Sequence, residues 1–255
     1  MTLGGIWATL LSKGGRIVTH PAFITSWLCV AALVSSGCGS VRAHTAPVAV
    51  LDHVIVGVAD LDEGIAAFTA ATGVQPVRGG QHPGRGTENA LVSLGDDVYL
   101  EIIAAQRGAS GDDAMVRSLK MLERPTALGW ALSVKNAASA HAYLNERGFP
   151  VTEITAGSRR TPAGDLLEWK TFALPLSATN AAPFFIEWGA ETHHPSATAP
   201  GGCRIETFEI HDPAGASISR LVTAVGVTVP IHHAARTKID LTLKCGERRV
   251  RFASE

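Results

Sequence analysis

The amino-acid sequence predicts an α+β protein: tandem β-α-β-β-β modules with a C-terminal β-α-β-β extension. A strand–helix–strand pattern opens at Leu51-Asp52-His53-Val54-Ile55-Val56 and closes at Val98-Tyr99-Leu100-Glu101-Ile102-Ile103. It then recurs in degraded form, with residues 51–58 lying over 128–135, and each copy continues into a helix-like run that ends in glycine.

The elements follow in order. The first helix spans 61–72 and is capped by Gly73, with Ile65 and Phe68 on its apolar face. The second spans 137–147 and is capped by Gly148, with Ala140, Tyr143 and Leu144 in the equivalent places. Each leads to a strand-like segment, 74–78 or 151–155, then a loop bearing Gly and Pro, then two more strands. A Ser/Thr/Ala/Pro/Gly-rich linker at 194–202 precedes the extension, which reads as strand 203–210, helix 214–224, strands 228–231 and 238–243, and a closing strand 248–252. The resulting divisions are a targeting segment at 1–45, modules at 46–127 and 128–195, and an extension at 203–255. The extension is expected to be structural, covering an open sheet edge or forming a homodimer contact.

Lys13 and Arg16 precede an apolar run at 22–34 that is shorter than the roughly 20 residues of a membrane-spanning helix. It reads as the core of a secretory signal, so no stable transmembrane segment is expected in the mature chain. Val41-Arg42-Ala43 fits a cleavage site, and Ser35-Ser36-Gly37-Cys38 is an imperfect lipid-attachment box. Export to the periplasm or cell exterior, with or without a lipid anchor, stands against a misplaced start codon and a cytoplasmic protein. Cys203 and Cys245 remain after cleavage; an oxidising compartment would permit their pairing, and neither has zinc-site spacing.

The net charge of −1, with 18% charged and 6% aromatic residues, gives no basis for nucleic-acid binding. Hydrolase-elbow, phosphate-loop and dinucleotide glycine motifs are absent, which removes the common hydrolase, nucleotide and NAD readings.

Alternate side chains of a strand share a face. His53 shares a face with Ile55 on the opening strand, and Glu101 lies with Tyr99 and Ile103 on the closing one. In the second copy, overlay puts Trp130 against His53, and Glu187 of Phe184-Phe185-Ile186-Glu187-Trp188 against Glu101. The loop His82-Pro83-Gly84-Arg85-Gly86-Thr87-Glu88-Asn89 offers an arginine fork and an amide to a ligand. Arg159 lies in the matching loop 158–164, and two arginine-bearing loops favour an anionic ligand. A hairpin that uses Gly and Pro only for its turn is the competing reading. The adjacent pairs His193-His194 and His232-His233 point opposite ways on extended chain, so neither chelates by itself and both are expected to face solvent.

With a His on the first strand and a Glu on the last strand of paired modules, the stretch from Val48 to Trp188 resembles the vicinal oxygen chelate superfamily. The stretch 82–91 followed by Tyr99-Leu100-Glu101-Ile102-Ile103 resembles its glyoxalase-like domain proteins. The resemblance implies that the tandem modules form a curved mixed-sheet cleft lined by the strands and, in metal-dependent members, that ligands come from those strands in both modules. His53, Glu101 and Glu187 would then hold Fe, Mn, Zn or Ni, with Glu101 and Glu187 as catalytic carboxylates in lyase, isomerase or dioxygenase chemistry. Trp130 stands where a fourth ligand would be, and indole cannot coordinate. One alternative is a metal-free cleft that binds or sequesters a small molecule through His82, Arg85, Asn89, Trp130, Arg159 and the carboxylates; another is structural pairing, with His53 simply hydrogen-bonding a buried carboxylate such as Glu101.

Overall fold

Strand β1 (Ala49–Gly57) is paired on both sides, parallel to β4 (Val98–Ala105) and antiparallel to β5 (Thr126–Val134). The structure, a computed structural model, describes residues 45–95, 97–111, 113–175 and 181–254. The expected targeting segment lies outside the described residues up to position 44, with its candidate exits at Cys38 and Ala43. Among the described residues no helix is long and apolar enough to cross a membrane.

The first module runs β1, α1 (Leu61–Thr72), β2 (Val77–His82), β3 (Thr87–Gly95) and β4. The second runs β5, α3 (Ala137–Glu146), β6 (Thr155–Arg160), β7 (Leu166–Ala173) and β8 (Phe184–Trp188). Together they form one eight-stranded sheet of order β2-β3-β4-β1-β5-β8-β7-β6. The helices begin where the sequence supplies caps: Asp60 accepts from the amides of Asp62 and Glu63, and Asn136 from that of Ser139. Helix α1 ends on Gly73, whose φ of 80° is open to glycine at little steric cost.

The sheet curls until its two edge strands approach. The Arg159 side chain on β6 donates to the Gly79 carbonyl on β2, and a Cβ at Gly80 would lie 2.6 Å from the Arg160 carbonyl oxygen. Arg159 is therefore on a strand and faces inward, not on a loop as expected. The hairpin tip falls beyond it, where Thr161 and Asp165 close the turn.

Short helix α2 (Ala114–Lys120) plugs one end of the inner face by packing Val116 and Leu119 against Ile103 and Ala105. The supposed linker contains helix α4 (Pro195–Thr198), with Pro195 and Ser196 buried, and the Pro200 carbonyl accepts from the Ser93 amide of β3.

The C-terminal residues form β9 (Cys203–Asp212), α5 (Gly215–Ala224), β10 (Ile231–His233), β11 (Lys238–Cys245) and β12 (Arg248–Ala253), in a sheet of order β10-β9-β11-β12. A disulfide joins Cys203 to Cys245. This sheet covers a face of the large sheet, not an edge as expected. Phe208 meets Trp130 edge-on at 5.4 Å and Phe252 stacks on Phe68 of α1 at 6.2 Å. The reason lies in the outer face of β1, β4 and β5. Val54, Val56, Leu100, Ile102, Trp130 and Leu132 form an apolar surface there, and the C-terminal sheet shares its cover with α1 and α3 in one continuous core.

Candidate functional site

The chemistry-bearing side chains collect on the inner face, and a bulge in β1 sets their arrangement. Leu51 pairs with Leu132 and His53 with Ala131, so Asp52 is an extra residue in the ladder. The bulge lets Asp52 reach inward beside His53, and Asp52 Oδ1 lies 2.5 Å from His53 Nδ1. The other carboxylate oxygen, Oδ2, accepts from Trp188 Nε1 at 2.9 Å and lies 3.2 Å from His194 Nε2. His194 is in turn tied to Ser196 at 2.7 Å.

An ionised carboxylate only accepts, so Nδ1 of His53 carries the proton and Nε2 is left as the working nitrogen. That nitrogen faces Glu101, 3.7 Å from Oε2. The opposite oxygen, Oε1, accepts from Asn89 Nδ2 at 2.7 Å and lies 3.5 Å from His82 Nε2. Thr87 holds His82 through Nδ1 at 2.8 Å. Tyr99 stacks on the His53 ring at 4.6 Å and Phe184 meets it edge-on at 5.3 Å. His53, Asn89, Tyr99, Glu101 and Arg159 are all buried.

Burial alone would raise the Asp52 carboxyl, but hydrogen bonds and charge from His194 and His53 outweigh it and bring the pKa to about 2. Glu101 follows the same pattern: burial raises it, and His82, His53, Asn89 and Arg159 together hold it below its ordinary value. His82 is lowered, chiefly by burial and against the pull of Glu101. Tyr99 is pushed well up by burial and the nearby carboxylates. Asn89 Oδ1 is buried without a hydrogen-bond partner, pressed so near Gly79 that a Cβ there would lie 2.4 Å from it.

The structure thus brings His53, His82, Asn89, Glu101 and Arg159 together. It does not bring Glu187 to them. Phe184 and Trp188 face the site, so by alternation Phe185 and Glu187 face away, and Phe185 stacks on Phe172 in the outer core. Glu187 accepts from the Ala137 amide at the start of α3 at 2.6 Å and from Lys170 at 2.9 Å. Despite partial burial, these contacts lower its pKa. Trp130 is also on the outer face. It pairs with Val54, is wholly buried, and donates Nε1 to the Ala181 carbonyl at 2.8 Å. Arg85 is exposed and lines a separate surface cavity of about 250 Å³ with Gln106, Arg107 and Asp113.

The donor set can be tested against a metal. The expected trio does not form, because Glu187 is on the wrong face. His82 is the other imidazole beside Glu101, but the two imidazoles approach different oxygens of that carboxylate. Among the described residues, the group of three whose ligand atoms lie within 4.8 Å of one another is elsewhere, at Glu209, His211 and His232. The second module meets His53 with the Phe184 ring and Ala131, so the cleft residues do not fit the three-ligand site that the resemblance implied.

Asp52 and His194 were missed from sequence. The bulge that turns Asp52 inward has no signature in the residue pattern, and the Ser/Thr/Ala/Pro/Gly-rich composition around His194 reads as exposed linker although its ring reaches Asp52.

Paired β-α-β-β-β modules curled around an inner polar face define the vicinal oxygen chelate class. The chain belongs to the glyoxalase-like domain family, whose model matches residues 51–226. No curated protein matches it by sequence. A hypothetical protein from Staphylococcus aureus is similar in structure at 14% identity, covering 81% of this chain and 85% of that one with a TM-score of 0.56. Methylmalonyl-CoA epimerase from Mycobacterium tuberculosis aligns at 21% identity over 55% of this chain and 89% of its own, with a TM-score of 0.44. The Streptomyces coelicolor methylmalonyl-CoA epimerase, in complex with 2-nitronate-propionyl-CoA, aligns at 16% identity over 55% and 97%, with a TM-score of 0.43.

Proposed function

We propose that the inner face takes up a small oxygenated molecule and transfers a proton on it, as an isomerase does. The observation that carries this reading is the buried chain Asp52–His53–Glu101. A carboxylate fixes one imidazole nitrogen, and the other nitrogen faces a second carboxylate at 3.7 Å. A substrate C–H set beside them would give its proton to one of these two bases, and the same group would return it to that carbon or to its neighbour, with no net change in atoms. Asp52 is a positioning residue that sets the tautomer of His53, and the charge of Arg159 favours an anionic group on the ligand. No step runs through a metal, because the cleft donors do not gather as ligands. The second reading is binding without turnover, supported by the depth at which these groups are buried. Export is part of the proposal too: the apolar run at 22–34 and the Cys203–Cys245 disulfide both suit an oxidising compartment.

The test is to incubate the protein in D2O with a panel of small 2-oxo and 2-hydroxy acids. Thermal shift reports binding and NMR reports deuterium uptake at carbon. The native chain is expected to exchange at least one acid, and His53→Gln and Glu101→Gln to lose about 10²-fold to 10⁴-fold of that rate. Binding without exchange leaves only the second reading. If no acid binds, both readings fail for this ligand class.

A further inference from the structure

The C-terminal sheet carries a second group of ligating side chains, on the surface turned away from the core. Phe208 and Ile210 of β9 point into the core, so Glu209 and His211 point outward on the opposite face. Strand β10 runs parallel to β9 with His232 in register beside His211. Their rings stack at 4.9 Å, and Glu209 Oε2 lies 3.7 Å from His211 Nε2 and 3.9 Å from His232 Nε2. All three ligand atoms lie within 4.8 Å of one another. The side chains are 30% (His211), 42% (Glu209) and 50% (His232) exposed, so an ion could reach them without any opening of the fold.

We propose that Glu209, His211 and His232 form a binding site for a late first-row divalent ion of the zinc or nickel class, independent of the inner cleft. Two imidazoles and one carboxylate suit such an ion and discriminate against magnesium, which prefers an all-oxygen shell. In a tetrahedral shell with bonds of about 2.0–2.2 Å, ligand atoms lie about 3.3–3.6 Å apart, so closing the site needs only small side-chain rotations. Two of the three ligands are on one strand, and that strand is held by the disulfide at Cys203 and by pairing with β11. The nearest cation in the ladder, Lys238 opposite His211, is held by Asp240 at 2.6 Å. Because β10 is a three-residue edge strand, an ion here would pin it to β9. Water would complete the shell.

The full chain, untagged and stripped with chelator, is titrated calorimetrically with Zn(II), Ni(II) and, as the hard-ion control, Mg(II). Metal content is measured in parallel by mass spectrometry. The expected result is one saturable equivalent of Zn(II) or Ni(II), none of Mg(II), and a raised Tm on loading. His232→Ala and Glu209→Gln should each weaken binding at least tenfold. His233→Ala, on the other face of β10, and Glu101→Gln, in the cleft, should leave it unchanged. His232 is half exposed at a sheet edge, so its variant should keep the fold, which circular dichroism checks. Absence of a saturable equivalent, its survival in both site variants, or its loss in Glu101→Gln overturns the proposal.

Discussion

The two modules share one fold and differ in what they present to the cleft. In the first, the inner face of the central strands carries Asp52, His53, Tyr99 and Glu101, with Asn89 and His82 from the neighbouring hairpin. In the second, Ala131, Phe184 and Trp188 line the same face, and the carboxylate Glu187 caps a helix on the far side. A duplicated strand frame keeps its hydrophobic core more readily than its polar chemistry, because the core needs only apolar residues at every second position. The second half therefore supplies walls and a clasp, through Phe184 and Arg159, while the first supplies most of the titratable groups.

The largest test of this division is Trp130→Ala. If the second module's indole is a core residue beneath the C-terminal sheet, urea denaturation should show a loss of about 3–5 kcal/mol. A stable variant with altered ligand binding would instead return Trp130 to the cleft. Next comes Asp52→Asn in the first module. The folded-state pKa of about 2 lies below the ordinary 3.8. The charged carboxylate thus contributes stability above pH 4 that is lost as pH falls through about 2, an effect of about 2 kcal/mol. Acid titration of Asp52→Asn should lack that loss; an unchanged acid limb would show that the Asp52 network is not stabilising. The smallest effect is expected for Glu187→Gln. Losing its charge at the start of α3 should cost about 0.5–1 kcal/mol and leave cleft-ligand affinity as it was. A large drop in that affinity would mean that the halves share the site after all.

Much of the frame is legible in the sequence. Helix α1 falls at 61–72 as read, because Asp60 and Gly73 mark its ends and Phe68 marks its face. His53 and Glu101 share the inner face because simple alternation holds along most of β1 and β4. The overlay of the two copies failed in the second half, where Trp130 and Glu187 fall on the outer face. The segment closing the second module is short, and apolar residues occupy both of its faces, so hydrophobicity could not choose its register. Arg159 was found, but on a loop instead of a strand, since Gly and Pro nearby pulled the turn too early. His232 was seen as one of an adjacent pair that cannot chelate alone. Its partners, Glu209 and His211, come from another strand, and only pairing reveals them.

The bulge at Asp52 has a consequence for how such a site can be inherited. Leu51 faces the core and His53 the cleft with or without the extra residue, so inserting or deleting that codon leaves every other side chain of β1 on its own face. A lineage could therefore gain or lose the carboxylate behind an existing histidine in one step, without turning any other β1 side chain to the opposite face. Homologous chains that differ by one residue at this point would keep the fold and differ in whether a carboxylate fixes the tautomer of the histidine.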